Sequence, residues 1–173
     1  QAARERSSWV TQVEPFLVEK TQRILVANSL GVWAEDERNY VRAGCNVSLE
    51  DQGERESSHS RTGTLGTSDW YETVDFPELA TSAVDRAKLL IHADYAPAGE
   101  MPVVLDNGFG GVIFHEACGH GLETTSVAKN ASVFCGKLGT KIADDCVTAI
   151  DDGTIANTWG SLNVDDEGMK TKK

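Results

Sequence analysis

Hydrophobic and polar positions alternate most clearly between residues 41 and 49. Val41, Ala43, Cys45, Val47 and Leu49 are separated by Arg42, Gly44, Asn46 and Ser48. A period of two predicts a strand with one buried face. Upstream, Arg23–Ala27 is a short β-rich run, Asn28–Gly31 a turn, and Val32–Ala34 the start of a return. Residues 9–61 therefore read as an antiparallel meander. The stretch 52–67 is polar, with Ser57, Ser58, Ser60 and several charges, and is expected to be a hairpin tip or a mobile loop.

The period then changes. Leu79, Ala80, Ala83, Val84, Ala87, Leu90 and Ile91 recur at helical spacing. Asp75-Phe76-Pro77-Glu78 carries the signals of a helix start: a capping carboxylate, a proline suited to the first turn, and an acid at the box position. His92 falls at the helix end, where it meets the negative pole of the dipole. Asp94–Gly99, with Pro97 and Gly99, is the linker candidate. Beyond it, Met101–Leu105 reads as a buried strand and Asn107–Gly111 as a tight turn. Val112-Ile113-Phe114 opens an apolar helix. Cys146–Ile150 and Thr154–Trp159, joined by Asp152-Gly153, read as a hairpin. The fold class is α+β: antiparallel strands with a packed helix, then a β-α-β segment. The domain division is 1–93, a linker at 94–100, and 101–173.

Charge and cysteine usage narrow the function classes. The 173 residues hold 27 acidic against 16 basic side chains, net −11. That balance, with no dense basic run, argues against contact with nucleic acid phosphates. No apolar run has membrane-spanning length and no secretory signal opens the chain, so no membrane association is expected. Cys45, Cys118, Cys135 and Cys146 lack CxxC pairing and read as reduced thiols in a cytoplasmic protein, Cys135 and Cys146 as core. His59, in the polar stretch, reads as solvated.

The chemistry-bearing segment is Phe114-His115-Glu116-Ala117-Cys118-Gly119-His120-Gly121. Neutral imidazoles bind zinc, and a carboxylate beside them can take a proton from water. In the usual zinc-protease helix the histidines are four residues apart; here they are five apart. On an ideal α-helix that separates them by roughly 140° rather than roughly 40°. Gly119 is expected to end or kink the helix, with His120 just past the break. The competing reading is a chance His-Glu pair among four scattered histidines, but three polar residues in six positions of a glycine-flanked apolar helix need an explanation, since a buried charge is costly unless paired or bound to metal. Glu123 could orient a ligand histidine. Cys118 is either a further ligand or a small buried side chain. The second is preferred, because a helix turns it about 60° from His115, away from His120. Asp165-Asp166-Glu167-Gly168 is either near the metal or a solvated acidic turn.

In order, Ala96–Gly99, Met101–Leu105, Gly111–Glu123, Ser132–Phe134, Gly136–Gly139, Asp151–Thr154, Gly160-Ser161 and Asp165–Gly168 resemble the TldD/PmbA family, more closely its TldD branch. That family comprises peptide-processing metalloproteases also described as modulators of DNA gyrase. The resemblance is dense in the second half of the chain. It implies a zinc peptidase with an HExxxH motif acting on unfolded peptides or small proteins. His115 and His120 become Zn2+ ligands, Glu116 the catalytic base, and the third ligand a cysteine expected beyond the C-terminus. It further implies a homodimer, or a heterodimer with a PmbA-type subunit, and makes this chain a middle fragment of a longer one. The alternative is a non-catalytic scaffold or interaction fragment that has lost a metal ligand.

Overall fold

The computed structural model describes residues 1–173 except the Phe109 side chain. It falls into two compact units, residues 1–95 with 150–173, and residues 96–149.

In the first unit a short helix α1 (Ala2–Arg6) precedes three antiparallel strands in the order β1 (Val10–Ala27), β2 (Trp33–Asp51) and β3 (Glu54–Leu65). The alternating run is the buried spine of this sheet, with Val41, Ala43, Cys45, Val47 and Leu49 each at most 4% exposed. The β1–β2 turn is held by the Asn28 carboxamide, whose Oδ1 accepts from Leu30 N at 2.9 Å and Val32 N at 3.2 Å. The β2–β3 connection is a two-residue turn with positive φ at both Gln52 (51°) and Gly53 (88°), the geometry that matches strand twist.

The polar stretch 52–67 is thus mostly a strand rather than a loop. From Glu54 to Leu65 it pairs continuously with β2. Backbone hydrogen bonds to a strand already fixed by burial hold it, and so its own side chains need not be apolar.

The predicted helix forms as α2 (Phe76–Leu90), with Asp75 Oδ1 accepting from Glu78 N at 2.9 Å. Its Ala83, Val84 and Ala87, followed by Ile91, pack with Cys45, Val47 and Leu49 in one core cluster. His92 lies just past the helix, with Nε2 2.9 Å from Asp51 Oδ2 and its ring edge-on to Trp9. It is a structural residue.

Antiparallel partners share a face, so Ala34, Asp36, Arg38, Tyr40 and Arg42 lie opposite the α2 face. Residues 150–173 cover part of this second face. Trp159 stacks on Tyr40 at 5.0 Å. Asn163 Nδ2 donates to Asp36 Oδ1 at 2.7 Å, and Arg38 Nη2 to the Val164 carbonyl at 2.8 Å. Gly168, at φ +80°, approaches so closely that a Cβ would lie 2.6 Å from Val32 Cγ1. The expected 146–150/154–159 hairpin is absent. Asp152 Oδ1 instead accepts from Thr154 N at 2.9 Å, and Thr158 Oγ1 donates to the Ile155 carbonyl at 3.0 Å. Short polar side chains have captured backbone groups that a ladder would use. Among the described residues the segment's only β contact is the bridge Val164–Lys170.

The second unit is helical and irregular. The Met101–Leu105 strand does not form: Val103 and Val104 are 72% and 97% exposed and no strand pairs with them. A β-rich run without a neighbouring strand has nowhere to place its backbone hydrogen bonds. The β-α-β expectation for this region is therefore replaced by a 3₁₀ turn (Gly108–Gly111) and a run of short helical pieces: α3 (Val112–Phe114), a π turn (His115–Gly119), α4 (His120–Leu122) and α5 (Thr124–Ala128). The α+β class stands, carried by the sheet and α2. Among the described residues, no helix is long and apolar enough to cross a membrane.

Candidate metal centre

The backbone brings the two histidines together without a break. Gly119 (φ −54°, ψ −54°) and His120 (φ −60°, ψ −34°) are both helical, so the expected kink does not form. The helix widens instead. The His120 N–H donates to the His115 carbonyl, an i→i+5 closure. One π turn sets residues five apart above one another, and such single turns recur at functional sites. The spacing that is wrong for an α-helix is right for this turn.

Gly119 is needed for the ring as much as for the backbone. A Cβ there would lie 2.9 Å from His115 Nδ1, so only glycine lets that imidazole fold over the helix. The His115 and His120 rings then meet edge-on with centroids 4.3 Å apart. Glu116 Oε2 is 3.7 Å from His120 Nε2. One donor atom from each of His115, Glu116 and His120 lies within 4.8 Å of the others, and among the described residues this is the only such His/Cys/Asp/Glu group. Two imidazoles and a carboxylate, all exposed, form a donor set suited to a borderline metal such as zinc.

His120 is turned by a fourth residue. Its Nδ1 is 2.7 Å from Glu123 Oε1, which leaves Nε2 on the side of Glu116. The hydrogen bond His120 donates to Glu123, then the charge of Glu123 and that of Glu116, raise the His120 pKa above the ordinary imidazole value. The helix end is fixed by Ser132, whose Oγ donates to the Gly121 carbonyl at 2.5 Å and accepts from Phe134 N at 3.1 Å. A Cβ on Gly121 would strike the Phe134 ring at 2.9 Å. Sequence reasoning gave Gly121, Ser132 and Phe134 no role at the site. Their signal was the small residue beside His120 followed by a distant serine, too weak to read alone. An apolar hollow of about 510 Å3 begins two residues past His120, lined by Leu122, Val127, Phe134, Leu138 and Ile142 among others.

The remaining candidates lie elsewhere. Cys118 is half-buried and does not join the donor group. Cys135 is half-buried, with Sγ 3.5 Å from the Val127 carbonyl, while Cys146 is exposed rather than core. Asp165 Oδ1 accepts from the N–H groups of Glu167 and Met169, both at 2.9 Å, so the acidic cluster is a hydrogen-bonded turn in the other unit. His59 is exposed on β3.

Residues 1–91 match the PmbA/TldA metallopeptidase central domain and residues 98–173 the C-terminal domain. The TldD metalloprotease homologue of Haemophilus influenzae is 39% identical over 98% of this chain and 36% of its own length. That of Buchnera aphidicola from Acyrthosiphon pisum is 36% identical over 99% of this chain and 37% of its own. A metalloprotease of Methanocaldococcus jannaschii is 38% identical over 74% of this chain and 28% of its own. The chain spans a little over a third of the length of the first two relatives.

Proposed function

The chain belongs to the PmbA/TldA metallopeptidase family, and on that premise we propose that it contributes the motif helix of a zinc peptidase. The observation that carries the reading is the i→i+5 closure from His120 N–H to the His115 carbonyl, which stacks both imidazoles beside Glu116. His115 and His120 hold the ion. Zinc bound there supplies Lewis-acid polarisation of a carbonyl and makes water nucleophilic near neutrality. In this reading Glu116, 3.7 Å from His120 Nε2, takes the proton from attacking water and delivers it to the leaving amine.

The proposed substrates are unfolded peptides or small proteins. The exposed donor group is open to an extended chain, and the adjoining apolar hollow can take a side chain. The working assembly is a dimer, homomeric or with a PmbA-type subunit, in the cytoplasm. All four cysteines are unpaired, which supports a reducing compartment.

Glu116→Gln tests the reading. Peptide hydrolysis should fall to background while the zinc content stays that of the parent chain. A variant that still cleaves peptide would remove Glu116 from the role of base. A parent chain that carries zinc and cleaves nothing would favour the non-catalytic alternative for this segment.

A further inference from the structure

We propose a second binding site, for the free carboxylate of a peptide C-terminus, on the open part of the sheet face opposite α2, with Arg42 and Arg61 as its cationic pair.

The arrangement follows from strand register. Arg42 on β2 pairs with Gly63 on β3, and Arg61 on β3 pairs with Gly44 on β2. Each arginine thus stands beside a glycine of the neighbouring strand, and all four share one face. Each glycine is roofed by an aromatic ring. A Cβ on Gly44 would lie 2.5 Å from Phe16 Cζ, and one on Gly63 would lie 3.1 Å from the Trp159 ring. The Arg42 guanidinium is 5.7 Å from the Phe16 centroid. The result is two arginines on one face, around a hollow of about 260 Å3 lined by Arg42, Arg61, Thr62, Gly63 and Trp159.

The charge of the face runs against that of the chain. With 27 acidic residues available, neither Arg42 nor Arg61 forms an ion pair with a carboxylate among the described residues, whereas Arg6, Arg23, Arg38 and Arg55 all do. Lys20 and His59 lie on the same face, and Arg86 reaches its edge with Nη1 2.7 Å from the His59 carbonyl. The one acid on the neighbouring β1 positions is Glu14, opposite Asn46, and its Oε1 is occupied by Gln12 Nε2 at 2.5 Å. Burial, then the charges of Arg61, Arg86 and Arg42, hold the His59 pKa below the ordinary value.

Charge complementarity therefore selects an anionic occupant. Guanidinium groups recognise carboxylates in a planar, two-point fashion. The hollow is smaller than pockets for drug-sized ligands. It suits one terminal residue, its carboxylate on the arginines and its apolar side chain against Trp159. The inference does not depend on the metal centre, because every residue it uses belongs to the first unit.

Calorimetric titration of the 173-residue chain with N-acetyl-Leu-Phe, as the free acid and as the C-terminal amide, is the test. The acid should bind with an affinity that weakens with salt, and the amide at least about 10-fold more weakly, since a hydrogen bond to a charged group is lost. Arg42→Gln and Arg61→Gln should each weaken the acid by about 10-fold, while Arg55→Gln leaves it unchanged. Equal binding of acid and amide, no binding of the acid at roughly 10 mM, or indifference to both variants would overturn the proposal. Tighter binding of phenyl phosphate than of the acid would overturn the carboxylate assignment. Concentration-dependent self-association in sedimentation that both variants abolish would replace the peptide with a second copy of this chain.

Discussion

At the scale of single residues, the site depends on side chains that hold other side chains. Glu123 fixes His120 through a 2.7 Å hydrogen bond, and partners of this kind commonly contribute 10–100-fold to metal affinity. Glu123→Ala should weaken zinc binding by about 10–100-fold in competition with a chromophoric chelator, with Glu123→Gln intermediate. The pH dependence has a defined sign. Zinc needs neutral imidazole, and Glu123 raises the His120 pKa, so the parent chain should lose zinc at a higher pH than an ordinary histidine site as the solution is acidified. Zinc release during acid titration follows that loss. Gly119→Ala adds a methyl 2.9 Å from His115 Nδ1 and should reduce zinc affinity with little change in helical circular dichroism. Residue type and order sufficed to single out His115, Glu116, His120 and Glu123 as candidates, and the structure brings these four side chains together. The supporting contacts of Gly119, Gly121, Ser132 and Phe134 were not legible in the sequence, since they depend on how rings and hydroxyls meet across a turn.

Elements formed where local signal and available partner agreed. The period-two run of β2 and the capped start of α2 each have a buried face and a matching surface, and both appear where the sequence places them. Asp75→Ala removes the acceptor for Glu78 N and should cost about 1 kcal/mol, read as a lower denaturation midpoint. Elements were misjudged where the partner decided the outcome. β3 is polar yet extended because β2 offers it a ladder, whereas Met101–Leu105 is β-rich yet irregular because nothing pairs with it. The helix at the site shows the same limit more finely. Glycine before His120 was read as a break, but glycine also permits a widened turn, and that turn brings the two imidazoles together.

At the scale of the whole molecule, residues that match the C-terminal domain close over the sheet of the central domain through one buried polar node. Arg38 and Asp36 have side chains only 10% and 2% exposed, and their ion pair is 2.8 Å long. Burial alone would push the Asp36 carboxyl up, but hydrogen bonds from Asn163 and Arg38 and the guanidinium charge outweigh it and leave the pKa lowered. A depressed carboxyl stabilises the fold above its unfolded pKa and ceases to do so as pH falls through the folded value. The contribution should therefore begin to decline below about pH 4 and be gone once pH has passed below the depressed folded value. Asp36→Asn leaves Arg38 buried without its counter-charge and should cost about 3–5 kcal/mol, with residues 150–173 becoming sensitive first, to chymotrypsin at Trp159. The central claim, that the π turn assembles a metal site, is tested most directly by the zinc content of the purified 173-residue chain beside His115→Ala and His120→Ala. The account predicts zinc approaching one equivalent in the parent and a marked loss in both variants. Zinc that is absent from the parent, or unchanged when either histidine is removed, would contradict it.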